Sequence, residues 1–167
     1  VLQTIGAAVY LLRDLYVKEV KADLAPHPPI RILAVDDDPV TRRAMMNALQ
    51  LAFPSPESAA DGEAALALAA SKSYDLILLD VRMPGMDGFT VCPKIHETLP
   101  NRHTPVVFVT SHSDLGSRDL AFQSGGSGFV TKPFLSSEIR LKALTSALRG
   151  RLERVKFSDP KPAAQVS

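Results

Sequence analysis

Between residues 30 and 149, short apolar runs alternate with stretches in which apolar residues recur every three or four positions. The runs at 30–35, 57–60, 76–79, 105–110 and 128–131 predict strands, and the periodic stretches at 39–53, 62–71, 88–97, 115–124 and 136–149 predict helices. Five such β-α units imply a doubly wound α/β fold, a parallel sheet with helices on both faces and right-handed crossovers. Residues 77–79 and 106–109 are apolar without interruption, as strands buried on both faces must be, so they belong in the middle of the sheet. The segment Glu57-Ser58-Ala59-Ala60 is short, poor in β-branched residues and preceded by Pro54 and Pro56, which fits only an edge. Pro93 interrupts the third helical pattern and predicts a kink or a late helix start there.

The flanks read differently. Leu2, Ile5, Val9, Leu12, Tyr16 and Val20 fall on one stripe of a helix that stops at Pro26-His27-Pro28-Pro29. This predicts an N-terminal helix and proline hinge over 1–29, a domain over 30–149, and a flexible tail over 150–167 with a weakly basic root at Arg151, Arg154 and Lys156. The apolar stripe over 1–25 is expected to pair with a second copy of the chain or with an upstream domain. Arg13 and Asp14 cut the apolar start at about half the ~20 residues that a membrane span needs, so neither a signal peptide nor a membrane helix is expected. A chain opening on Val1 is expected to be an excerpt or a processed product of a longer protein.

Hydrophobic residues at 46% and charged residues at 22% place the chain among ordinary globular proteins. Nineteen basic against eighteen acidic residues leave a net charge of +1, which offers no global field to attract nucleic acid or an anionic membrane. One cysteine, Cys92, excludes an internal disulfide and suits a reducing, cytoplasmic compartment.

In an open α/β sheet, ligands collect at the carboxyl ends of the strands. Here those ends carry Asp36-Asp37-Asp38, Asp80, Thr110-Ser111 and Lys132-Pro133. Asp38, directly before Pro39, suits an N-cap. Asp36, Asp37 and Asp80 would repel one another unless a cation neutralised them, and hard oxygen ligands select Mg²⁺, or Mn²⁺, over zinc. His27, His96, His103 and His112 show no paired metal-ligand spacing. A divalent cation, a lysine and a hydroxyl around a carboxylate make a site for phosphoryl transfer, with the carboxylate as nucleophile and an acyl phosphate as product. No G-x-x-x-x-G-K-[ST] loop is present, so a nucleotide is not the obvious donor.

The sequence resembles the receiver domain of two-component response regulators, as in the chemotaxis regulator. The resemblance rests on V-D-D-D at 35–38, L-L-D-V-R-M-P-G-M-D-G at 78–88, V-T-S at 109–111 and F-V-T-K-P-F at 129–134, in that order and at the spacing of five β-α units. It implies a flavodoxin-like fold with strand order 2-1-3-4-5. It implies Asp80 as the phosphoacceptor, taking a phosphoryl group from a phosphohistidine on a histidine kinase or phosphotransfer protein. Asp36, Asp37, Asp80 and the backbone carbonyl of Arg82 become the Mg²⁺ ligands, and Thr110 and Lys132 contact the phosphoryl group. Phe129 takes the place of the switch aromatic, coupled through Thr110 to an interaction face built from the fourth helix, fifth strand and fifth helix. Arg82 and His112, two places after the acceptor and the threonine, are the positions that tune the lifetime of the phosphorylated state. Both are bulky, which predicts a persistent form. On this reading the chain is a signalling domain and not an enzyme in its own right.

Two rivals remain open at this point. Asp36-Asp37-Asp38-Pro39-Val40 also resembles the nucleophile motif of haloacid-dehalogenase-type phosphohydrolases, with Asp36 as nucleophile and Asp38 as acid/base. That reading leaves Asp80 unexplained. A non-phosphorylated interaction module with the same fold is the other, against which stand the five retained acceptor-site residues.

Overall fold

The computed structural model of the protein describes residues 29–111 and 115–158. The chain alternates strand and helix as β1 (Ile32–Val35), α1 (Pro39–Gln50), β2 (Glu57–Ala59), α2 (Gly62–Ser71), β3 (Leu76–Asp80), α3 (Gly88–Glu97), β4 (Val106–Thr110), α4 (Leu115–Gln123), β5 (Gly128–Thr131) and α5 (Ser136–Ser158). The five strands form one parallel sheet in the order β2-β1-β3-β4-β5. The weak second strand is at an edge, and the two uninterrupted apolar runs are inside.

Side chains alternate between the faces of each strand, and that alternation divides the core in two. Ile32, Ala34, Leu76, Leu78, Val107 and Val109 face Met45 and Leu49 of α1 and Ile139, Ala143 and Ala147 of α5. Leu33, Val35, Ile77, Leu79, Val106 and Phe108 face Ala65 and Ala69 of α2 and Val91, Cys92 and Ile95 of α3. Both faces are covered, so every residue of β1, β3 and β4 is buried.

Three helices begin on an aspartate whose carboxylate accepts orphan backbone N–H groups of the first turn. Asp38 accepts from Thr41 at 2.9 Å, Asp61 from Ala64 at 2.7 Å and Asp87 from Thr90 at 2.7 Å. The Asp87 cap starts α3 at Gly88, so the late start expected from Pro93 does not occur, and Pro93 lies on the exposed side of the helix. A short 3₁₀ turn at Leu99–Asn101 follows, fixed by the fully buried Asn101 amide, which bonds Tyr74 N, Ala69 O and Lys72 O.

One boundary departs from the sequence reading. The flexible tail expected from residue 150 is instead helix as far as Ser158. A Cβ at Gly150 would lie 2.8 Å from the ring of Pro105, so the glycine serves a close approach of α5 to the start of β4. Of the predicted N-terminal helix and hinge over 1–29, all but Pro29, and with it the pairing surface on 1–25, lies outside the described residues.

Candidate functional site

Parallel register brings the polar strand ends together. Val35 pairs with Leu79, so the residue after β1, Asp36, is level with Asp80. Asp80 pairs with Val109, which puts Thr110 one step beyond it, and Thr110 pairs with Thr131, which puts Lys132 one step beyond again. The Lys132 backbone N–H bonds the Thr110 carbonyl at 2.8 Å and fixes that last step. The peptide bond from Lys132 to Pro133 is cis.

The Lys132 ammonium lies 2.7 Å from Asp36 Oδ2 and 3.0 Å from Asp80 Oδ1, bridging the two carboxylates. Asp36 is fully buried, Asp80 and Thr110 are nearly so, and Asp37 is not buried. One carboxylate oxygen from each of Asp36, Asp37 and Asp80 falls within 4.8 Å of the others. Burial pushes the Asp36 and Asp80 carboxyls above their ordinary range, and the Lys132 ion pairs offset that only in part. The same two carboxylates hold Lys132 above the ordinary lysine range against the opposing effect of its own burial. One ammonium facing three carboxylates leaves an excess of negative charge.

Neighbours outside the expected ligand set also shape this cluster. The Asp38 N–H donates to Asp36 Oδ1 at 3.0 Å, and Arg42 Nη1 donates to the backbone carbonyls of Asp36 at 2.6 Å and Asp37 at 3.2 Å. Asp38 itself is turned away, its carboxylate held by Val40, Thr41 and the Thr41 hydroxyl. That commitment removes the acid/base role which the phosphohydrolase reading gave it. Gly88 is a hidden requirement: a Cβ there would sit 2.2 Å from the carbonyl oxygen of Asp80, so only glycine lets α3 start against the end of β3. Its N–H bonds the Val81 carbonyl at 2.8 Å.

Arg82 follows Asp80 by two residues in the β3–α3 connection, with its side chain exposed. Phe129 lies on β5, half-buried against the α2/α3 side of the core and paired in register with Phe108. His112, the other expected lifetime-tuning position, lies outside the described residues. The donor set fits a hard divalent cation: three carboxylate oxygens converge, two of them buried, with no thiolate or imidazole among them.

Comparison with known proteins agrees with this geometry. The family model described as the response regulator receiver domain matches residues 32–144. The chain is 42% identical over 129 residues to "Response regulator PleD" of Caulobacter vibrioides, covering 72% of this chain and 28% of that protein. It is 36% identical over 116 residues to "Transcriptional regulatory protein ResD" of Bacillus subtilis, covering 68% and 47% respectively. The match thus spans less than half the length of either relative. Among solved structures, the chemotaxis protein CheY4 of Vibrio cholerae is similar with a TM-score of 0.63 and 31% identity, over 76% of this chain and 98% of that one. The receiver domain of the sensor histidine kinase PA1611 of Pseudomonas aeruginosa has a TM-score of 0.66 and 28% identity, over 71% and 98%, and carries a magnesium ion coordinated in its active site cleft.

Proposed function

The chain belongs to the response regulator receiver domain family, and from that membership we propose that Asp80 is its phosphoacceptor, with Asp36, Asp37, Asp80 and the Arg82 carbonyl as the ligands of Mg²⁺. Receiver domains take their phosphoryl group from histidine kinases or phosphotransfer proteins in two-component signalling. The observation that carries the assignment is the Lys132 bridge between two buried carboxylates at the ends of adjacent strands.

In the proposed reaction, a carboxylate oxygen of Asp80 attacks the phosphorus of a phosphohistidine. The new O–P bond forms as the N–P bond breaks, and the imidazole nitrogen leaves with the electron pair and takes up a proton. When bound, Mg²⁺ supplies positive charge to the phosphoryl oxygens. Lys132 is already aimed at Asp80 and follows the transferred group, while the Thr110 hydroxyl lies one residue beyond the level of Asp80 on the adjoining strand. Thr110 and Phe129, on neighbouring strands, then couple the site to the α4–β5–α5 face. Arg82, exposed two residues after Asp80, is in this proposal the residue that screens the phosphoryl group from an in-line water and prolongs the phosphorylated state. No helix among the described residues is long and apolar enough to cross a membrane, and we place the domain in the cytoplasm, where such kinases present their phosphohistidine.

Incubation with a small phosphodonor and Mg²⁺, followed by intact-mass and peptide mapping, tests the assignment. A single phosphoryl adduct on Asp80, lost on chelation, is expected. An adduct on Asp36 that survives Asp80→Asn would return the phosphohydrolase reading, and no adduct under any donor would return the non-phosphorylated module.

A further inference from the structure

At the opposite pole of the sheet, one carboxylate gathers three separate parts of the chain. Asp75, just before β3, is 8% exposed. Its Oδ2 accepts from the Arg31 backbone N–H at 2.9 Å and from Arg151 Nη2 at 2.7 Å, and its Oδ1 accepts from Arg151 Nε at 3.0 Å and from Arg154 Nη2. Arg154 also donates to the Tyr74 carbonyl at 3.2 Å, and the Asp75 N–H donates to the Arg31 carbonyl at 2.8 Å. Arg31 stands at the point where the described chain comes in, one residue before β1. Arg151 and Arg154 stand on the last turns of α5, where it goes out.

We propose that Asp75 is a positioning residue, a clasp that holds the incoming chain and the outgoing helix in one fixed arrangement, so that α5 beyond Gly150 is a rigid lever on the domain. The arginine pair is what makes the clasp directional. Arg151 engages both carboxylate oxygens in a fork, which fixes orientation as well as distance, and Arg154, three residues later, donates to the same Oδ1 that Arg151 Nε reaches. Among the described side chains of α5, the fully buried core residues end at Ala147, and Gly150 closely approaches Pro105. Burial alone would push the Asp75 carboxyl up, yet the arginines and the Arg31 amide hold it below its ordinary range. This inference does not depend on the phosphoacceptor assignment at the far pole.

Hydrogen exchange on the full chain tests it. In Asp75→Asn, amides of residues 150–158 are expected to exchange at least tenfold faster while those of α1 and β4 change less than twofold, with Asp80 labelling by phosphodonor unaltered. Equal acceleration in every element would reduce Asp75 to a contributor to global stability and overturn the proposal, as would unchanged protection at 150–158. Should Asp75→Asn fail to fold, the double variant Arg151→Gln, Arg154→Gln leaves the Arg31–Asp75 contact in place and must give the same confined acceleration.

Discussion

Asp36 and Asp80 at one end of the sheet and Asp75 at the other are the same residue type, similarly withdrawn from water, yet their carboxyls move in opposite directions. Burial dominates at the first pair, where a single ammonium serves two buried carboxylates and an adjacent third, and both carboxyls rise. Two guanidiniums and a backbone N–H converge on Asp75, which falls. Charge balance separates the two poles. The cluster at Asp75, where two guanidiniums outnumber one carboxylate, joins parts of the chain together. The acidic one keeps an excess of negative charge, which a divalent cation would offset.

Substitution at each pole should therefore produce opposite results. The largest effect expected is on chemistry: Asp80→Asn removes the phosphoryl adduct entirely, while Asp75→Asn retains it, as read by intact mass. If both lost the adduct, the two poles would not be independent. Stability should reverse the ranking. Asp75→Asn leaves two arginines facing a neutral amide and is expected to speed amide exchange at residues 150–158 at least tenfold, whereas Asp80→Asn relieves repulsion with Asp36 and should leave that segment unchanged and the domain neutral or more stable.

The acid limb gives the same contrast its sign. Because the Asp75 carboxyl lies below its ordinary 3.8 in the folded state, its contribution is present above that value and is lost as pH falls through the lower folded-state value. The difference in amide protection at residues 150–158 between the parent and Asp75→Asn should accordingly close in that window.

Adding Mg²⁺ at a hundred times its Kd should stabilise the domain by about 2.7 kcal/mol. The gain should survive Asp75→Asn and shrink in Asp36→Asn, and equal gains in both variants would place the cation elsewhere. The smallest effect belongs to a carboxylate at neither pole: Asp61→Ala removes only the cap of α2 and should cost about 1 kcal/mol, with no change in labelling.

The two poles were not equally legible in the sequence. Asp36, Asp80, Thr110 and Lys132 each follow an apolar run, so strand periodicity and parallel topology suffice to bring them together. Asp75 precedes its run and looks like an ordinary polar flank, and its arginines lie 76 and 79 residues away, beyond the reach of any local pattern. The same gap caused the misread end of α5. A glycine at 150 followed by a charged, low-hydropathy stretch resembles a helix terminus, because the contacts that keep it helical, Pro105 and Asp75, come from other elements. Gly88 was legible as part of a motif but not as a necessity, since only coordinates show how closely the Asp80 carbonyl approaches it.

The lone thiol, Cys92, is fully buried on the core face of α3, and that burial pushes it up to about 12. A thiol reagent requires the thiolate, so the folded protein should be inert to it and each modification event should record one opening of α3. This helix begins at Asp87 and Gly88, against the carbonyl of Asp80. Cys92 is thus a built-in stopwatch beside the connection that follows Asp80: its modification rate, followed with and without Mg²⁺, times how often the helix supporting that connection lifts away.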